Sequence, residues 1–188
     1  MKKKNIIWGL VALVILVVIG LWSSYNKLVV AEEGVNTQWA QVEAQYQRRA
    51  DLIMNLMASV EGQFDQEQAV FGELARARQN YSGAQTMGDK IQAATEMDGA
   101  LGRLLVIMEN YPELKSSELM AQFMAQQEGT ENRISVERQR FNEAAQNYNI
   151  LTRRIPTNII ASLFNFSAKP YFQSSPGAEQ APQIDFRR

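Results

Sequence analysis

The chain has no cysteine and no histidine. Those two absences remove whole classes of chemistry. Thiol nucleophiles, Ser–His and Cys–His pairs, thiolate or imidazole zinc sites and haem held by histidine or cysteine all go. Disulfides and a lipidated amino-terminal cysteine go with them. A cysteine-free chain fits an oxidising compartment and a reducing one equally well. Positive charge is also short outside the amino terminus. Setting aside Lys2, Lys3 and Lys4, the chain carries 16 basic against 20 acidic residues. That balance lacks the basic footprint of a nucleic-acid binder, so no nucleic-acid partner is expected. A length of 188 residues allows one small domain plus a membrane segment.

What is present begins with a leader. Three lysines precede Ile6 to Trp22, a run with no charge and nothing more polar than glycine. Seventeen apolar residues rise about 25 Å as a helix, at the short end of what spans a bilayer, and Ser23, Ser24 and Tyr25 add roughly one turn. Ile6, Trp8, Leu10, Ile15, Leu21 and Trp22 are the expected anchor residues, the tryptophans at the interfaces. A cleavable signal peptide is the rival. Its small-residue match, Val29-Val30-Ala31, lies well beyond Trp22, and the apolar run exceeds a typical signal core. An anchor over residues 6–24 is therefore expected. The lysine bias places residues 1–5 in the cytoplasm and residues 25–188 outside the inner (plasma) membrane of a bacterial cell.

Beyond the leader the periodicity is helical. Val35, Trp39, Val42, Tyr46, Ile53, Leu56 and Val60 fall at alternating steps of four and three, with Arg49 filling the one gap. This heptad stripe predicts a long helix, continuous with the anchor if Gly34 does not interrupt it. Gly62 ends it. Asp65-x-x-Gln68 resembles a capping box before a second helix with stripe Val70, Leu74, Ala77 and Tyr81. Ser82 to Gly88 reads as a loop, and Asp89-x-x-Gln92 opens a third helix. Its face is Ile91, Ala94, Met97, Leu101, Leu104 and Met108, and Asn110-Tyr111-Pro112 closes it.

Ser116 is the expected N-cap of a fourth, longest helix. Its stripe is Met120, Phe123, Gln127, Thr130, Ile134, Glu137, Phe141, Ala144, Tyr148, Leu151 and Ile155, and Pro156 stops it. No segment shows the period-two alternation of a strand. The expected fold class is all-α: a single transmembrane helix, then an antiparallel up-and-down four-helix bundle over residues 25–155. Residues 156–172 form an apolar membrane-proximal segment, and residues 173–188 an extended tail. Ile159, Ile160, Leu163, Phe164, Phe166, Tyr171 and Phe172 in the apolar segment either cap the open end of the bundle or touch lipid or a neighbouring subunit.

Seven stretches carry a family likeness. They are Tyr25-Asn26-Lys27-Leu28-Val29, Arg48-Arg49-Ala50-Asp51-Leu52-Ile53 with Asn55-Leu56, and Glu109-Asn110-Tyr111-Pro112-Glu113-Leu114-Lys115. Then come Glu128-Gly129-Thr130-Glu131-Asn132-Arg133-Ile134, Tyr148-Asn149, Pro170-Tyr171-Phe172 and Ile184-Asp185-Phe186. In this order they resemble the LemA family of bacterial membrane proteins. The resemblance implies a single amino-terminal anchor and an antiparallel four-helix bundle, and brings no catalytic residues with it. Met54 stands where the family usually has proline, which implies a straighter first helix.

Two constellations remain. Glu128 and Glu131, with Glu109 and Glu113, suggest a carboxylate metal site, but bundled di-metal sites use Glu-x-x-His pairs and the chain has no histidine. No metal, cofactor or catalytic residue is expected. Arg49 and Glu137 are charged members of mostly apolar stripes. They either approach each other as a structural polar pair or snorkel to solvent. The expected function is non-catalytic: a membrane-anchored scaffold acting through homo-oligomeric assembly on membrane lipid. The alternative is an adaptor or sensor presenting its bundle to a membrane protease or signalling protein.

Overall fold

The computed structural model of the chain describes residues 2–60, 68–112 and 117–173. Among them are five helices and no strand: α1 Lys2–Val60, α2 Gln68–Gly83, α3 Met87–Met108, α4 Glu118–Arg153 and α5 Thr157–Leu163. Gly62, Asp65, Ser116 and the tail from residue 174 onward lie outside the described residues.

α1 is one helix of 59 residues, with both Gly34 and Met54 inside it. Leu28, Val35, Trp39, Val42, Tyr46, Arg49, Ile53 and Leu56 are all buried. The heptad spacing keeps them on one face. Toward the amino terminus the pattern changes. Thirteen large apolar side chains between Ile7 and Trp22 are exposed. Covering a large apolar side chain is worth about 1.5–3 kcal/mol, so leaving these in water forgoes roughly 20–40 kcal/mol. That exceeds the net stability of a typical domain, about 5–15 kcal/mol. Of the described helices, α1 is the one long and apolar enough to cross a membrane, and only 6% of its most apolar window is buried.

The chain divides into two compact units, Met1–Gln45 with Glu131–Pro170, and Tyr46–Thr130 with Tyr171–Arg188. In the first, Leu28 of α1 clusters with Ile160 and Ala161 of α5, and Leu151 and Phe166 pack against them. Farther along, the Trp39 and Phe141 rings meet at 5.3 Å. α4 keeps its expected stripe from Met120 to Tyr148 except that Glu137 is half-buried and Ala145 is fully buried where Ala144 was expected; at Tyr148 the next residue, Asn149, is buried as well. A straight α-helix drifts against a strict seven-residue repeat, and this is that drift. Ile155 ends up exposed, past the last turn of α4.

α5 was not anticipated as a helix. Thr157 supports the join by sharing its hydroxyl proton between the Leu151 and Arg154 carbonyls, the second of which also accepts the Asn158 N–H at 2.8 Å. Asn165 ends α5 with a φ of 58°. That left-handed conformation is one asparagine tolerates better than most residues. The Phe166 N–H then reaches back to the Ala161 carbonyl at 2.9 Å, as in a Schellman closure. The reversal lays Phe166 on the Leu28 cluster.

In the second unit α2 packs on α3. Leu74, Ala77 and Tyr81 of α2 are buried, as are Ala94, Met97, Leu101, Leu104 and Met108 of α3. The intervening loop is shorter than expected. Thr86, not Asp89, is the cap: its hydroxyl accepts the Asp89 N–H at 3.1 Å and donates to the Asp89 carboxylate at 2.7 Å. This reciprocal pair satisfies a free helix-end donor one turn earlier than the sequence suggested. α4 opens similarly, with the Ser117 hydroxyl accepting the Met120 N–H at 3.2 Å.

Candidate functional site

Two polar clusters interrupt the apolar interior, one in each unit. In the second unit Arg49 is completely buried on α1. Its guanidinium pairs with the Asp98 carboxylate of α3. The other Asp98 oxygen accepts from the Tyr46 hydroxyl at 3.0 Å. The Arg49 guanidinium carbon lies 5.6 Å from the Tyr46 ring centroid. Tyr46 also meets Tyr81 at 5.6 Å and stacks with Phe172 at 6.3 Å. Asp98 therefore takes two donors from successive turns of one helix, joining α1 to α3.

Arg49 and Glu137, expected either to approach each other or to snorkel to solvent, each meet another partner. Glu137 accepts from Arg140, three residues along its own helix, at 2.9 Å. The Trp39–Phe141 contact sets the local register of α1 and α4. The stripe marked Arg49 as unusual but not its partner. Asp98 sits one position off the apolar face, next to Met97, where an acid looks like ordinary surface.

In the first unit the cluster gathers around Lys169. Asn149 of α4 donates from its side-chain amide to the Lys169 carbonyl at 2.9 Å, and its side-chain oxygen accepts the Lys169 N–H at 2.8 Å. The Lys169 ammonium reaches Glu32 of α1 at 2.6 Å and lies 5.5 Å over the Tyr148 ring. Tyr148 is fully buried, and its hydroxyl has no hydrogen-bond partner among the described residues. Burial, and secondarily the Glu32 charge, push its pKa from 10.0 up to about 12. The segment after α5 is thereby pinned to α4 and α1 at a single lysine.

The remaining expected residues divide cleanly. Trp8, Leu10, Ile15, Leu21 and Trp22 are exposed, and the side chain of Ile6 lies outside the described residues. Of the apolar segment, Ile160 and Phe172 are buried and Phe166 is half-buried, whereas Ile159, Leu163, Phe164 and Tyr171 are exposed. The Tyr25 ring lies 5.0 Å from Phe164 and 5.8 Å from Phe166, so the segment docks where the apolar run of α1 ends. Ser24 donates to the Gly20 carbonyl of its own helix at 2.8 Å. Glu109, Glu128 and Glu131 are all exposed, and Glu113 lies outside the described residues.

Comparison with known proteins places this chain among relatives. Magnetosome proteins MamQ 1 and MamQ 2 of Paramagnetospirillum magneticum are each 27% identical to it over 182 residues, covering 82% of this chain. The chain spans 66% of their length. Magnetosome protein MamQ of Magnetospirillum gryphiswaldense is 26% identical over 190 residues, 85% of this chain and 70% of the relative. The sequence pattern of the LemA family matches residues 38–186. The chain belongs to the LemA family.

Proposed function

We propose that this is a single-pass, non-catalytic membrane protein that works as a structural component through homo-oligomeric assembly. The observation that carries the proposal is the continuity of α1: one helix holds the exposed apolar run and the buried stripe of the soluble part. A helix built that way holds the folded part at a set height and angle over the bilayer. The contacts of Leu28 with the α5 cluster, near Leu151, and of Trp39 with Phe141 support α1 and α4 as antiparallel neighbours in a four-helix, up-and-down bundle.

The lysine bias supports a cytoplasmic amino terminus and a bundle outside the bacterial inner membrane. The lack of histidine and cysteine supports a role without catalysis. Exposed apolar side chains on the soluble part, among them Val106, Val136 and Ile150, offer surface for self-association. The relatives named as magnetosome proteins support a place at a membrane.

The test is native purification in mild detergent followed by mass photometry. A homo-oligomer of defined size is expected, and a monodisperse monomer refutes the assembly role. Recovery of a foreign membrane protein at fixed stoichiometry instead favours the adaptor.

A further inference from the structure

Two apolar grooves flank α1 where its apolar run ends. One, of about 430 Å³, lies between α1 and α5, with walls from Val18, Leu21, Trp22, Leu163 and Phe164. The other, of about 770 Å³, runs along α1 past Leu151 of α4, with a polar stretch in an otherwise apolar lining. Val18 and Ile19 line its end toward the amino terminus, Ser23, Asn26 and Lys27 its middle, and Val30 and Ala31 its far end. From Val18 to Lys27 is about 14 Å at 1.5 Å per residue.

The charge around this polar stretch is mostly positive. Lys27 is exposed. Arg154 stands three residues past Leu151, and its N–H still bonds the Ile150 carbonyl in helical fashion at 2.9 Å, so it shares that face. Arg153 and Arg154 are both exposed. Among nearby acids, Glu32 is taken by Lys169, which leaves Glu33 as the exposed carboxylate on α1.

We infer that these grooves hold an anionic phospholipid of the bilayer that α1 crosses. Its phosphate sits at Lys27 and Arg154, and its acyl chains lie along Trp22 and Val18, beside Leu163 and Phe164. The polar stretch at Ser23, Asn26 and Lys27 follows the apolar wall at Val18 and Ile19, the order a lipid of the same leaflet presents, and both grooves are continuous with the exposed apolar run. The inference rests on the anchor proposed above. α5 becomes a foot set into the membrane surface, and Leu163 and Phe164 are exposed because lipid covers them.

The absence of native cysteine makes the test direct. Leu13→Cys and Leu163→Cys, each in the otherwise unaltered full-length protein, are labelled with a fluorophore. The protein is placed in nanodiscs of phosphatidylcholine with one-third phosphatidylglycerol. Doxyl-labelled phosphatidylcholine or doxyl-labelled phosphatidylglycerol is then added at equal mole fraction. The label at residue 163 should be quenched by both, with a preference of roughly tenfold for the anionic quencher, as two basic residues beside an anionic headgroup give. Lys27→Gln with Arg154→Gln should erase that preference while leaving quenching by phosphatidylcholine.

Quenching at residue 13 but not at residue 163 overturns the lipid site and leaves the anchor standing. No quenching at residue 13 overturns the anchor itself. Equal quenching by both lipids refutes the anionic preference. Protection of residue 163 by disulfide-linked copies makes a second chain, not lipid, the occupant.

Discussion

Asp98→Ala is the substitution that most directly tests how the second unit is held together. The Asp98 carboxylate accepts from both Arg49 and the Tyr46 hydroxyl. The two charges differ in access to water, with side chains 1% exposed for Arg49 and 26% for Asp98. Removing Asp98 takes the opposing charge from a guanidinium that water cannot reach, a change that typically costs about 3–5 kcal/mol. Removing Arg49 as Arg49→Met leaves a carboxylate that can hydrate and keep its bond to Tyr46, so the cost should be about 1–2 kcal/mol smaller.

The double variant should then cost little more than Arg49→Met alone, a coupling close to the full Asp98→Ala cost, about 3–5 kcal/mol. In a chain this size 1 kcal/mol moves the melting temperature by about 2–4 °C, so Asp98→Ala should lower it by roughly 6–20 °C. Circular dichroism at 222 nm on the full-length protein in mild detergent reads this. Glu137→Ala is the control. Its partner Arg140 is 59% exposed, the pair is local, and such pairs contribute about 0.3–0.5 kcal/mol. Equal, additive costs for Arg49→Met and Asp98→Ala would refute the reasoning, as would coupling between Arg49 and Glu137.

Further expectations concern the first unit. Tyr148→Phe removes a buried hydroxyl with no partner among the described residues, and should leave the melting temperature unchanged or raise it by a few degrees, about 1 kcal/mol. In the intact protein, the folded Tyr148 phenol holds its proton more tightly than the unfolded one. Unfolding therefore releases a proton between about pH 10 and 12, and the stability present below that window is lost as pH rises through it. The difference ultraviolet titration of wild type against Tyr148→Phe should show ionisation near 12. Glu32→Gln should bring it only part of the way back, because burial is the larger cause. Asn149→Ala breaks both bonds to the Lys169 backbone and should cost about 1–3 kcal/mol, with faster hydrogen exchange at the Lys169 amide. Asn165→Gly should be neutral and Asn165→Val should cost about 1–2 kcal/mol in thermal unfolding, because Asn165 is left-handed.

The sequence disclosed periodic features and hid pairwise ones. The α1 stripe was legible residue by residue because a single repeat governs it, including Arg49 as the one charged member. What Arg49 pairs with was not legible. Partner choice depends on which neighbouring helix lies across and at what height, and a stripe carries neither quantity. The same limit hid Lys169, a lone cation in an apolar segment whose fixed position depends on Asn149, twenty residues earlier. The Thr86 cap was readable in principle: threonine followed three residues later by aspartate is a capping signal, but the more distant Asp89-x-x-Gln92 match obscured it. α5 was missed because seven residues are too few for helical periodicity to emerge. Its termination depends on the left-handed tolerance of Asn165, which no repeat announces.

These features together change what the stretch after Pro156 is. Density of apolar residues alone suggested either a plug or a sticky surface. The structure divides the two roles within a few residues: Ile160 faces the Leu28 cluster, while Ile159 and Leu163 face outward on the same seven-residue helix. Such a division requires a fixed helix rotation. The Thr157 hydroxyl fixes it at one end and the Asn165 reversal at the other, and the Asn149–Lys169–Glu32 junction holds the chain that follows. A merely collapsed apolar segment would need none of these polar anchors, because burial is indifferent to direction. Their presence means that the outward face of α5 is held in place, at the height where the apolar run of α1 ends.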